Sequence, residues 1–235
     1  MDLFASIDLY CERTGEGLLS EPLNLLSNLA FIISGYLIIR KLNVATPHQN
    51  ASSARVLAWI IMSVGVGSGL FHSFANMWSQ LCEVIPIGVL IITYLWLFLR
   101  NIGGLDKSAA AGTLITFLLF SAGCAAMADP SKANGGQFYF GTWIMLLCLC
   151  WFLFGRGYSK ALRPMVAASL LFLLSIILRT LDLIICDHWP IGTHVFWHLL
   201  NAWVLYLVVQ AYIISTTLQQ SSTHPKSQLS IKPAG

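Results

Sequence analysis

Arg55-Val56-Leu57-Ala58-Trp59-Ile60-Ile61-Met62-Ser63-Val64-Gly65-Val66-Gly67-Ser68-Gly69-Leu70-Phe71-His72-Ser73-Phe74 is an apolar run whose one formal charge stands at its first residue. A helix rises 1.5 Å per residue, so a run of about 20 residues crosses the roughly 30 Å hydrocarbon core of a bilayer. No water is available there to satisfy the backbone, and a helix pairs its N–H and C=O groups within itself. The run therefore reads as a membrane-crossing helix. Its anomaly is polar. Ser68 and His72 stand four residues apart near one end, and so share a helix face.

Six more runs of this kind lie near 23–40, 82–99, 109–127, 138–154, 164–185 and 194–215. Of 235 residues, 57% are hydrophobic and 10% charged, against about a quarter charged in a soluble domain. Mean hydropathy of +0.73 agrees. The fold class is all-α: a polytopic membrane protein built as a seven-transmembrane-helix bundle. Its parts are an acidic extramembrane segment (1–22), the helical domain (23–217) and a disordered tail (218–235). The net charge of +3 is spread over loops and forms no basic stripe, which excludes nucleic acid as a partner. Residues 1–22 carry Asp2, Asp8, Glu12, Glu16 and Glu21 and lack the apolar core of a cleavable signal peptide.

Lys and Arg in short loops set the orientation. Arg40, Lys41, Arg55, Arg100, Lys107, Arg156, Lys160, Arg163, Lys226 and Lys232 collect on one side, with Arg13 and Lys132 on the other. Ten against two predicts an N-terminus outside or in a lumen and a cytoplasmic C-terminus. Asn50-Ala51-Ser52 is a glycosylation sequon that this topology leaves in the cytoplasm.

The same topology brings polar residues to one depth. The second run ends outward with Ser68 and His72. A tight outer loop follows, and Glu83 opens the third run. The seventh run begins with His194-Val195-Phe196-Trp197-His198, again a pair spaced four apart. Ionisable groups at membrane depth are costly and mark function by default. Three histidines from two helices supply the three protein ligands typical of catalytic zinc. A lone membrane histidine is more often an interhelical hydrogen-bonder; three at one depth beside a serine and a glutamate favour a metal. Asn24, Ser27 and Asn28 share parts of one face of the first run and read as interhelical hydrogen-bonders that support the site. Arg179 and Asp182, three residues apart, read as a buried ion pair. Trp197 reads as packing.

Of six cysteines, Cys124, Cys148 and Cys150 lie in apolar runs, and no spacing resembles a zinc knuckle. Cys11 and Cys186 lie just outside runs. A disulfide between them requires that both ends face one oxidising compartment.

With these residues in view, the chain resembles the alkaline ceramidase family, part of the CREST superfamily of seven-helix membrane hydrolases. The resemblance rests on Ser68-x3-His72, Glu83 shortly before Pro86, and His194-x3-His198, with Tyr10-Cys11-Glu12 and Glu21-x2-Asn24-x2-Ser27-Asn28 near the N-terminus. It implies a zinc-dependent hydrolase of the ceramide amide bond. His72, His194 and His198 would hold Zn2+, Glu83 would orient a water and take its proton, and Ser68 would donate to the developing oxyanion. The substrate is a lipid entering from the bilayer. The resemblance also implies Ca2+ on the acidic segment, at Asp8, Glu12, Thr14 and Glu21, and a Cys11–Cys186 disulfide. One departure is Glu83, where the family usually carries aspartate. The segment between Cys11 and Glu21 is also shorter, and an asparagine is replaced near Thr14. The superfamily includes receptor-like members with a similar zinc site and weak hydrolysis, which is the alternative reading. The expected location is an integral multi-pass protein of a bacterial inner membrane or of the endoplasmic reticulum or Golgi.

Overall fold

The computed structural model describes residues 2–44, 50–127, 129 and 133–223. Helix α1 (Pro22–Ser27) turns at Asn28 into α2 (Leu29–Val44), and the two together make the first span. Five spans follow: α3 (Ala51–Phe74), α4 (Met77–Asn101), α5 (Lys107–Met127), α6 (Phe140–Gly155) entered by a 3-10 turn, and α7 (Ser159–Leu181). The last is α8 (His194–Thr223). Seven segments are thus long and apolar enough to cross a membrane. The seven expected spans are present, with different boundaries.

Two boundary differences have clear causes. Glu83 does not open its helix; α4 begins at Met77, ahead of the apolar run. Asn76 accepts from Ser79 N at 3.2 Å while the Ser79 hydroxyl accepts from Asn76 N at 3.1 Å. This capping box starts the helix early. At the other end α8 continues to Thr223, into residues that composition assigned to the tail. Ser215 and Thr216 return hydrogen bonds to Ala211 and Ile213 carbonyls at 2.7 and 2.9 Å, so these polar side chains are absorbed by the helix itself. The remainder of the expected tail, with Lys226 and Lys232, lies outside the described residues, as do Lys132 and His48.

Helix α8 packs against α7, α2 and α3, and α3 packs against α4. The buried core includes Ile38, Leu57, Ile61, Leu153, Met165 and Tyr212. Outward-facing Trp59, Leu119, Trp151, Leu170 and Trp203 are exposed, as lipid-facing residues of a bundle are. Between α3 and α4 the backbones nearly touch. Pro86 has no N–H, so the Cys82 carbonyl one turn earlier loses its helical donor. Gly67 packs straight onto that carbonyl, and any Cβ there would overlap it. This close approach sets Ser68 of α3 beside Glu83 of α4.

The N-terminal segment is tied across the same end of the bundle. Ile7 N donates to Ala75 O at 2.8 Å and Trp78 N to Leu3 O at 3.1 Å, which pins it to the α3–α4 turn. A disulfide joins Cys11 to Cys186, with Cα atoms 5.2 Å apart.

Candidate metal centre

His72 enters from the last turn of α3, and His194 and His198 from the first two turns of α8. Spacing of four residues turns the α8 pair to one face. Ligand nitrogens of the three lie within 4.8 Å of one another, and each side chain is at most 1% exposed.

Their hydrogen bonds fix the tautomers. Ser27 donates its one hydroxyl hydrogen to Asn24 O at 2.8 Å, so it must accept from His198 Nδ1 at 2.7 Å. His72 Nδ1 donates to the Glu21 carboxylate at 2.5 Å. With both rings neutral, the two Nε2 atoms are then bare lone pairs, and they face each other at 3.2 Å. Two such lone pairs repel unless a cation lies between them. His194 sharpens the point: it is fully buried, and neither ring nitrogen has a protein partner. Leaving buried polar atoms unpaired costs about 1–3 kcal/mol each. A metal ion bound by all three rings removes the repulsion and takes up one of the two His194 nitrogens. A set of three imidazoles, two of them anchored at the outer nitrogen by a carboxylate (His72) and a hydroxyl (His198), is the donor chemistry of zinc.

Ser68 lies one turn before His72 and donates to Glu83 Oε1 at 3.0 Å. Both are buried. The supporting residues divide their tasks. Ser27 orients His198, Asn24 donates to Glu21 Oε2 at 3.1 Å, and Asn28 donates to Asn24 O at 2.8 Å.

The acidic segment behaves differently from the calcium site that the resemblance implies. Both Glu12 oxygens accept backbone hydrogens at the start of α1, from Leu23 N at 2.6 Å and Asn24 N at 2.8 Å. Glu12 is a helix cap supplied from a distant loop, where α1 lacks a local one. Glu21 is bound by Arg13, His72 and Asn24. Burial pushes its carboxyl up, but the hydrogen bonds from His72, Asn24 and Arg13 outweigh this and hold it below the ordinary value. Asp8 and Thr14 are exposed.

Several residues of the site were not legible in advance. The Tyr10 ring stacks on His194 with centroids 3.7 Å apart. Arg179 does not pair with Asp182. Its guanidinium lies over the rings of Tyr10, Tyr139 and Trp197, and Nη1 donates to the Tyr10 hydroxyl at 3.1 Å. Asp182 instead accepts from Thr193 N, His194 N and Cys11 N at 2.6, 2.9 and 3.1 Å. It caps α8 and sets the first histidine. The sequence signal was a carboxylate ahead of a helix start, hidden because eleven residues separate it from Thr193. Gly192, at φ +70°, makes the turn, and a Cβ there would strike Asp182. Asp182→Ala leaves three backbone donors unpaired and is expected to cost about 3 kcal/mol or more. The check is a fall in the thermal midpoint of the purified protein together with weaker binding of added metal.

Fold and site together define a seven-helix integral membrane protein with a buried three-histidine centre at one end of its bundle. A family profile described as Ceramidase matches residues 6–232, nearly the whole chain, and the chain belongs to that family. A search of curated protein sequences finds no match.

Proposed function

We propose that this protein is an intramembrane zinc amidase that hydrolyses the amide bond of ceramide or a close N-acyl lipid. The products are a fatty acid and a sphingoid base. One observation carries the reading: in a member of the Ceramidase family, the Nε2 atoms of His72 and His198 face each other at 3.2 Å beside a third buried histidine whose ring nitrogens have no hydrogen-bond partner.

His72, His194 and His198 would hold zinc, which would supply a Lewis acid and a nucleophilic water near neutral pH. Glu83 accepts the proton from the attacking water and returns it to the departing amine as the C–N bond breaks. Ser68 turns its hydroxyl from Glu83 to the substrate carbonyl oxygen and stabilises the charge that develops there. A burial of this depth excludes bulk water and strengthens each of these interactions.

The tails have a place to go. An apolar cavity runs down the bundle, lined along α8 from Trp197 to Val209. Val64, Ile87 and Asn201 line it, each about one turn from Ser68, Glu83 and His198 respectively. Trp197 also lines it, so it shapes the cavity as well as packing.

The site end of the bundle faces the outside or a lumen in this reading. The ten-to-two distribution of Lys and Arg supports that orientation, and so does a Cys11–Cys186 disulfide, which persists in oxidising compartments. A bacterial inner membrane and an endoplasmic reticulum or Golgi membrane both meet the requirement.

The test is fatty acid release from ceramide by the purified protein in detergent, wild type against Ser68→Ala. Loss of an oxyanion donor should lower turnover about 10²- to 10³-fold while zinc stays bound. A zinc-loaded wild type that releases nothing from ceramide would transfer the reading to another N-acyl lipid or to a receptor-like relative.

A further inference from the structure

The ion pair between Arg13 and Glu21 is the feature of the site that the zinc amidase reading leaves unused. Arg13 Nε donates to Glu21 Oε1 at 2.5 Å, Nη1 to Gly15 O at 2.9 Å, and Nη2 to His72 O at 3.1 Å. The two side chains are 4% and 1% exposed. A buried pair of this kind carries a desolvation cost, which excellent geometry and further hydrogen bonds must offset. Here the guanidinium has three directed acceptors.

Each acceptor matters to the histidine centre. Glu21 uses its other oxygen to hold His72 Nδ1, so Arg13 decides which oxygen is free for the imidazole. The His72 carbonyl belongs to the last turn of α3, where helical carbonyls lack N–H partners and the helix dipole is negative. Gly15 O closes the loop that carries Arg13 itself.

The residues that the family resemblance assigns to calcium do not fit that ion. Calcium takes six to eight oxygen ligands at about 2.3–2.6 Å. Both Glu12 oxygens receive backbone hydrogens, and Glu21 is enclosed by Arg13, His72 and Asn24. Asp8, Glu12 and Glu21 are not among the described residues that converge as a metal-holding group. A cation already sits against Glu21, and it is part of the chain.

We infer that Arg13 is the built-in counter-cation of Glu21 at the metal centre: it positions Glu21 and His72 and makes the site independent of calcium. The inference rests on the zinc reading of the three histidines. It makes Arg13 a positioning residue, acting on the metal through Glu21 and His72. Lysine at this place would keep the charge and one contact but lose the fork.

The test uses the full chain in detergent, stripped of all metal and reloaded with zinc alone. Zinc affinity is read by competition with a chromogenic chelator, with and without millimolar calcium, for wild type, Arg13→Lys and Arg13→Gln. Wild type should bind zinc equally with and without calcium, and its thermal midpoint should not move. Arg13→Gln should bind zinc about 10- to 100-fold more weakly, as loss of an outer partner of a metal ligand does, with Arg13→Lys between. A purely structural role would lower the thermal midpoint and leave zinc affinity alone, and that result overturns the inference. So does calcium that tightens zinc binding by wild type. Should Arg13→Gln fail to fold, Arg13→Lys decides: affinity equal to wild type overturns the inference, and weaker binding supports it. Wild type that binds no zinc overturns this inference and the zinc reading together. Zinc behaviour as expected without ceramide turnover overturns the proposed substrate alone.

Discussion

His198→Ala is expected to abolish zinc binding and lipid hydrolysis together, with turnover down on the order of 10³-fold or more, about 4 kcal/mol of transition-state stabilisation. The variant removes one of two facing lone pairs and leaves Ser27 without its imidazole partner. It also leaves His194 beside a void, with its own nitrogens still unpaired. Packing suffers less than binding. The Phe31 ring, which lines the cavity, lies 6.1 Å from the His198 ring. Zinc analysis of the folded variant, set beside fatty acid release, checks the prediction. Hydrolysis with zinc absent would contradict it.

Glu83→Gln is expected to lower turnover about 10²- to 10⁴-fold, the range for a lost general acid–base, with zinc retained. The amide oxygen can still accept from Ser68, so the local hydrogen bond at 3.0 Å survives. The proton acceptor does not. This separates the chemistry of Glu83 from its structural part, which α4 and the Gly67 contact also support. Glu83→Asp, the residue usual in the family, withdraws the carboxylate by one methylene from Ser68. Its turnover should fall between wild type and Glu83→Gln. Full activity in Glu83→Gln, measured with zinc-loaded protein, would remove Glu83 from the reaction.

What could be read in advance follows the range of the interactions. The seven spans were legible because a helix in hydrocarbon depends on its own segment. Ser68 with His72 and His194 with His198 were legible because four-residue spacing places a pair on one face. Their convergence on one depth then followed from the alternation of spans. The anchors of the centre were not legible in the same way. Glu12 capping α1, Asp182 capping α8 and Arg13 bridging Glu21 to His72 all depend on where loops come to rest. Arg179 and Asp182 show the limit well. Their three-residue spacing pointed to an ion pair, yet α7 gives way to a 3-10 turn at Asp182. That turn sends the carboxylate to α8 and leaves the guanidinium among aromatic rings. Arg13 had one local signal, a single basic residue between Glu12 and Glu21.

The most direct test of the account is metal content and fatty acid release, measured on wild type and His198→Ala purified side by side. The account predicts zinc and release from ceramide in wild type and neither in the variant. Well-folded wild type without zinc, or release that survives the loss of His198, would contradict it.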